Sequence, residues 1–232
     1  MPPPDVDGPR ARGAWWLPAV LVVVCGSLLA ALVIATAGAH GAPFGVDSHV
    51  HGWVLVHRPS WVRDGAVGVT VTGSGVPAYV LAALAGALAA RTVRWYGALL
   101  GIVALASAQL PRIVLASVLA RPRPPVADWA FSASGWAMPS GHTTTSMAVA
   151  VLLTVAAHRR ARSRLRPVLL ILPVVWAVAV GVSRVVLGVH WPTDVLAGWL
   201  LAACWAGSAA LVVHGLRCRK TGAVTSKERQ RP

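Results

Sequence analysis

The chain has 232 residues, of which 56% are hydrophobic and 12% are charged, and its formal net charge is +14. Soluble domains carry about 25% charged residues, so this composition argues against a soluble domain and indicates a protein embedded in lipid. The positive charge does not indicate a nucleic-acid partner, because the basic residues form short clusters between apolar runs, as the loops of membrane proteins do.

Six apolar segments are long enough to cross a membrane, so the sequence predicts an all-α, polytopic six-transmembrane-helix bundle. In chain order, the predicted spans are residues 15–38, a segment within 61–90, 95–119, 140–157, 168–187 and 191–214. Gly73, Gly75 and Pro77 interrupt the second span. We expect the first span to be retained rather than cleaved, because it is longer than the ~7–15 apolar residues of a signal peptide.

A short interfacial helix is predicted over residues 46–58, where five residues fall at helical spacing: Val46, Val50, Trp53, Val54 and His57. The same segment contains three histidines, which raises the hypothesis of a metal site; they are His49, His51 and His57. Their spacing matches no strong metal signature and Asp47 is the only acidic residue among them, so we interpret them as interfacial polar residues and expect no metal.

The distribution of basic residues predicts the orientation of the bundle. With a cytoplasmic N-terminus, the inner segments hold fifteen Lys and Arg residues and the outer segments hold five, which is the asymmetry of the positive-inside rule. We therefore predict a cytoplasmic tail over residues 1–14, a membrane domain over 15–214, and a basic cytoplasmic tail over 215–232 that is expected to be disordered.

This orientation brings three polar segments to the same outer face, where they could bind an anion. A helix start at Ser140 and Gly141 offers backbone N–H groups to a phosphate. Arg123 and Arg184 can donate paired hydrogen bonds to phosphate oxygens. Each feature alone has an ordinary explanation as a helix cap or an interfacial residue, but their convergence on one face favours an anion-handling site.

Two histidines supply the chemistry that such a site would need. His190 and Asp194 are four residues apart and share a face if that turn is helical. A carboxylate on one imidazole nitrogen leaves the other nitrogen free to attack. His142, on another span, can then protonate the departing oxygen.

These segments resemble the signature of the type 2 phosphatidic acid phosphatase (PAP2) superfamily. The second motif is present as Pro139-Ser140-Gly141-His142, and the third as Ser183-Arg184 followed by His190 and Asp194. The resemblance implies a membrane lipid phosphate phosphatase that forms a phosphohistidine on His190, with His142 as the acid and Asp194 as the partner of His190. It also implies that no metal or cofactor is needed, and that the substrate is a polyprenyl diphosphate or a phosphatidate-type lipid.

The first motif of that family is incomplete in this chain. The family has a lysine seven residues before its Arg-Pro pair, whereas the residue seven before Arg123 is Ala116. Arg112, one turn earlier in the span, and Arg121, in the loop, are the candidate replacements. Helical side chains lean toward the N-terminus, so Arg112 would have to extend outward to reach the site.

Three alternatives to a lipid phosphatase remain open at this stage. A vanadate-dependent haloperoxidase would share the anion site, although that branch of the family is soluble. A lipid phosphotransferase would pass the phosphoryl group to an alcohol. A non-enzymatic membrane homologue would account for the missing lysine.

Overall fold

The computed structural model describes residues 15–160 and 164–229, with side chains described up to residue 219. These residues form helices and no strand, as the predicted all-α class requires. The α-helices are α1 (Trp16–Gly38), α2 (Gly45–His57), α3 (Ser60–Thr72), α4 (Gly75–Ala89), α5 (Arg94–Leu119), α6 (Gly141–Arg160), α7 (Arg166–Val186) and α8 (Pro192–Arg229). A single 3-10 turn, Val126–Asp128, lies in the long connection between α5 and α6. The predicted tail over residues 1–14 lies outside the described residues.

The described helices include four that are long and apolar enough to cross a membrane, namely α1, α5, α7 and α8. The pair α3 and α4 passes the same test together, with a bend of 52°, which allows a fifth span. The predicted count of six is not confirmed, because α6 is less apolar than the others. Its position explains its composition: α6 packs against α4, α5, α7 and α8, so it needs no apolar face toward lipid.

The buried start of α6 carries hydroxyl side chains that bond to the helix's own backbone. Thr144 Oγ1 donates to the carbonyl of Ser140 at 3.0 Å, and Thr145 Oγ1 donates to the carbonyl of Gly141 at 2.7 Å. Hydroxyl groups bonded in this way are tolerated away from water. The hydroxyl side chains at the start of α6 therefore lie in the interior of the bundle.

The predicted interruption of the second span is present as the break between α3 and α4. Gly75 has φ +58°, a conformation that favours glycine. A Cβ at Gly73 would lie 2.3 Å from Val180 Cγ1, so only glycine lets the break pack against α7. Pro77 lies in the first turn of α4, where a missing N–H removes no hydrogen bond. The break therefore holds Ser74 between two helices at a fixed place.

The predicted short helix before the second span is α2, but Val54 is the one residue of its predicted face that is buried. Asp47, His51 and Val54 are buried, whereas Val46 and Trp53 are 57% and 59% exposed. The polar face of α2 thus packs against the bundle.

At the other end of the chain, α8 continues past residue 214 and ends at Arg229. It includes most of the segment for which the sequence predicts a disordered tail. The domain boundaries themselves stay predictions.

Candidate active site

The three motif segments meet at one end of the bundle, as predicted. The backbone N–H of Ser140 donates to the carbonyl of Asp194 at 3.1 Å, which joins the start of α6 to the start of α8. Arg123 Nη1 lies 2.8 Å from His190 Nε2, which joins the loop after α5 to the same place. The second and third motifs and the Arg-Pro segment of the first therefore form one cluster.

His190 lies just before α8 and is oriented from both sides. Its Nδ1 is 3.3 Å from Asp194 Oδ2, which also accepts the N–H of Trp191 at 2.9 Å. Because an arginine can only donate, its contact with Nε2 assigns the ring proton to Nδ1 and a lone pair to Nε2. The turn containing His190 precedes the helix, yet the four-residue spacing still brings the two side chains together as predicted. His190 therefore directs the Nε2 lone pair toward the guanidinium of Arg123.

The guanidinium of Arg123 is held by the loop that follows it. It donates to the carbonyls of Ser134, Gly135 and Val189 at 2.8, 2.9 and 2.8 Å. Burial lowers the pKa of His190 well below its ordinary value, and the positive charge of Arg123 lowers it further. The imidazole of His190 is consequently neutral near pH 7, as a nucleophile must be.

Two more guanidinium groups act electrostatically on His190, those of Arg112 and Arg184. Arg184 is 1% exposed and donates to Thr70 Oγ1 at 2.9 Å. Arg112 lies against the start of α6, where a Cβ on Gly141 would be 3.3 Å from Arg112 Nη1. Arg112 thus extends outward along α5, and the absence of a side chain at Gly141 provides its space.

Both of these arginines have a buried Nε without a hydrogen-bond partner among the described residues. Unpartnered buried donors are uncommon, and here they belong to two guanidinium groups that act electrostatically on His190. Arg112, Arg123 and Arg184 therefore concentrate positive charge and hydrogen-bond donors around His190, which suits a multiply charged anion.

His142, in the first turn of α6, is positioned by a residue that the sequence analysis did not single out. Ser74 Oγ lies 2.8 Å from His142 Nε2. Ser74 lies at the break between α3 and α4. Gly73 and Gly75, on either side of it, mark this break in the sequence and are the feature from which its position could have been found. The bend in the second span therefore places a hydroxyl group against the predicted acid.

A buried ion network supports the site from behind. Arg121 Nη1 donates to Asp194 Oδ1 at 2.6 Å, and Arg121 Nη2 donates to Asp47 Oδ2 at 2.7 Å; all three side chains are 0% exposed. Thr193 adds its N–H and its hydroxyl to Asp47, at 3.0 and 2.7 Å. Arg121 is thus paired with two carboxylates inside the protein. Of the two candidate replacements for the missing lysine, Arg112 is the one that contacts Gly141. Asp47 was missed as a member of the site.

The expectation for Ser140 changes in one respect. Its backbone N–H is bonded to Asp194, so that group is not free for an anion. Its side-chain oxygen accepts a hydrogen bond from Thr143 Oγ1 at 3.0 Å. Contact between Ser140 and a phosphate would therefore use its hydroxyl group.

Two of the three histidines of α2, His51 and His57, have hydrogen-bond partners in the structure. His51 Nε2 bonds with Asp128 Oδ2 at 3.0 Å, and His57 Nδ1 lies 2.8 Å from the carbonyl of Trp53. Within residues 15–160 and 164–229, no group of three His, Cys, Asp or Glu side chains has the arrangement of a metal site. His51 instead ties α2 to the loop between α5 and α6.

Comparison with known proteins agrees with this geometry. The sequence model of the PAP2 superfamily matches residues 95–218, more than half of the chain. Phosphatidylglycerophosphatase B of Bacillus subtilis is 28% identical over 172 residues, covering 73% of this chain and 84% of that protein. Decaprenylphosphoryl-5-phosphoribose phosphatase of Mycolicibacterium smegmatis is 35% identical over 147 residues, covering 62% of this chain and 74% of that protein.

The fold is also that of a solved relative. The crystal structure of a transmembrane PAP2 type phosphatidylglycerolphosphate phosphatase from Bacillus subtilis superposes with a TM-score of 0.69, over 86% of this chain and 96% of that chain, at 24% identity. The matched residues include the start of α6, the end of α7 and the start of α8, where the candidate site lies. This chain is therefore a multi-pass membrane protein that belongs to the PAP2 superfamily.

Proposed function

We propose that this protein is a lipid phosphate phosphatase that hydrolyses a phosphomonoester or diphosphate through a phosphohistidine on His190. The observation that carries the proposal is the line Arg123–His190–Asp194. In it, one nitrogen of a buried neutral imidazole faces a carboxylate and the other faces a guanidinium. A phosphate bound by that guanidinium would lie against the Nε2 lone pair.

In the first step, the lone pair of His190 Nε2 forms a bond to phosphorus and the bond from phosphorus to the leaving oxygen breaks. His142 gives a proton to that oxygen. The lipid departs as an alcohol if the substrate is a phosphomonoester, and as a monophosphate if it is a diphosphate. Asp194 accepts the Nδ1–H of His190 and stabilises the positive charge that develops on the ring. Arg112, Arg123 and Arg184 stabilise the charge on the phosphoryl oxygens, the task that a metal ion performs in other phosphatases.

In the second step, a water molecule gives a proton to His142 and attacks phosphorus, and the bond between Nε2 and phosphorus breaks. Inorganic phosphate leaves and both histidines return to their starting states. The sequence of steps needs no redox partner and no metal, so we propose that the enzyme is metal-independent. An alcohol in place of water would make the product of a phosphotransferase.

The proposed substrate is a polyprenyl diphosphate or a phosphatidate-type lipid, and two matched relatives carry names of lipid phosphatases. An apolar tail would lie among the membrane helices while the phosphate meets the arginines. The excess of basic residues at the opposite end supports cytoplasmic termini and a site on the outer face. Orientation and substrate are both part of the proposal.

Replacing the nucleophile tests this proposal. We expect His190→Ala to reduce phosphate release from detergent-solubilised protein by at least ~10³-fold, because no other group forms the covalent bond. The matched control is His49→Ala, which removes an exposed histidine of α2 and leaves the rate unchanged. A colorimetric phosphate assay with prenyl and glycerolipid phosphates, with and without a chelator, gives the rates.

Two results would contradict the mechanism. Phosphate release that survives His190→Ala would exclude His190 as the nucleophile. A wild-type rate that collapses with chelator would show that a metal ion takes part.

Arg112 tests the proposed replacement of the family's lysine. We expect Arg112→Ala to reduce kcat/KM by about 10²-fold, the usual effect of losing one donor to the transition state. Arg112→Lys should recover part of the loss, because it restores the charge but not the paired donors. The matched control is Arg63→Ala, an exposed arginine of α3. Unchanged kinetics in Arg112→Ala would show that Arg112 is no substitute for the lysine.

Asp47 is a positioning residue in this account, since it acts on Asp194 through Arg121. We expect Asp47→Asn to lower kcat about tenfold with little change in KM, because the phosphate-binding arginines remain while His190 loses its fixed orientation. Asp47→Glu should recover part of kcat. Asp64→Asn, at an exposed acidic residue of α3, is the control and should leave kcat unchanged.

A kcat that is unaffected by Asp47→Asn would remove Asp47 from the site. A change in KM alone would show that Asp47 acts on substrate binding instead.

A further inference from the structure

A concave region lies at the end of the bundle opposite the candidate active site. Its cavity has a volume of about 670 Å³ and is lined by α4, α5, α6 and α8 together with the turn between α4 and α5. Arg159 is separated from the site end of α6 by about 27 Å, at 1.5 Å per residue from Gly141. This cavity is therefore distinct from the proposed catalytic site.

The walls of this cavity are apolar and aromatic. Leu100 and Leu152 contribute aliphatic surface, and Trp95 and Tyr96 lie at the start of α5 with 72% and 51% of their surface exposed. Tryptophan and tyrosine are typical of the boundary between the apolar core of a membrane and its headgroups. A volume between about 300 and 1,000 Å³ is usual for a small-ligand pocket.

The rim of this cavity is basic. A contiguous pocket of about 530 Å³ is lined by Arg91, Arg159 and Arg217, and the first two of these also line the apolar cavity. The two pockets thus share Arg91 and Arg159 as a boundary between apolar walls and a positively charged opening.

The charges of Arg91 and Arg159 have no acidic counterpart in the described side chains. Asp47, Asp128 and Asp194 form ion pairs at the other end of the bundle. Arg159 and Arg160 both contact the end of α4: Arg159 Nη1 donates to the carbonyl of Ala89 at 3.5 Å, and Arg160 donates to the carbonyls of Leu88 and Ala90. These hydrogen bonds hold the end of α6 against the end of α4 and fix the position of the basic rim.

We infer that this end of the protein binds an anionic phospholipid, with its headgroup phosphate on Arg91 and Arg159 and an acyl chain in the apolar cavity. A guanidinium pair matches a phosphate diester. An apolar cavity beside it, at the depth of interfacial aromatic residues, matches an acyl chain rather than a nucleotide or an acidic peptide. Juxtamembrane basic residues attract anionic lipids in this way.

The test measures binding of labelled phosphatidylglycerol to the full-length protein in detergent, with phosphatidylcholine as the neutral comparison. We expect the double variant Arg91→Ala with Arg159→Ala to bind phosphatidylglycerol on the order of thirtyfold more weakly. Arg91→Lys with Arg159→Lys should retain most of the affinity. Arg94→Ala removes a neighbouring arginine that lines neither pocket, and should bind as the wild type does.

Further arms separate this site from others and show that the variants are folded. Arg123→Ala removes an arginine of the active site and should leave phosphatidylglycerol binding intact. Phosphate release by the double alanine variant should match the wild type, because Arg91 and Arg159 lie far from His190. Soluble glycerol phosphate should not displace the lipid, which distinguishes a lipid from a free phosphate as the ligand.

The inference is overturned by any of four results. These are that phosphatidylcholine binds as tightly as phosphatidylglycerol, that the double alanine variant keeps its affinity, that Arg123→Ala abolishes the binding, or that glycerol phosphate displaces the lipid. None of these results bears on catalysis by His190, so the proposed function stands or falls separately.

Discussion

The whole site depends on one guanidinium, that of Arg121, which is shared by Asp47 and Asp194 in a fully buried network. Removing one partner of such a network typically destabilises a protein by about 3–5 kcal/mol, because a buried charge is left uncompensated. The three residues come from α2, from the loop after α5 and from the start of α8. The same contacts that bring these elements together therefore also fix the carboxylate that orients His190.

The parts of the site that the sequence could predict are those set by local spacing. His190 and Asp194 are four residues apart, and Ser140 begins a helix, so both could be placed before the fold was seen. Asp47 and Ser74 could not be predicted, because each meets its partner across more than 65 residues of chain. No periodicity signals such contacts. Arg112 packs against Gly141 at the start of α6, a contact between two helices that spacing along α5 alone does not reveal.

The helices show the same difference between features set by local sequence and features set by tertiary packing. Apolar runs predicted α1, α5, α7 and α8 to within a few residues, apart from the extension of α8 to Arg229. Hydropathy is a weaker guide to α6, because a helix surrounded by other helices carries threonine and serine where a lipid-facing helix carries leucine. A buried polar helix start is also what the chemistry needs, since it carries His142 to the arginines.

The central claim is that His190 Nε2 carries the phosphoryl group during turnover, and the most direct measurement is to identify that adduct. The protein would be mixed with whichever lipid phosphate it hydrolyses faster, quenched in base, digested and mapped by mass spectrometry. We expect a phosphoryl group on His190 alone, and no adduct in His190→Ala, which lacks the nitrogen that would carry it. A phosphoryl group on a different residue, or none on His190 while phosphate is released, would contradict it.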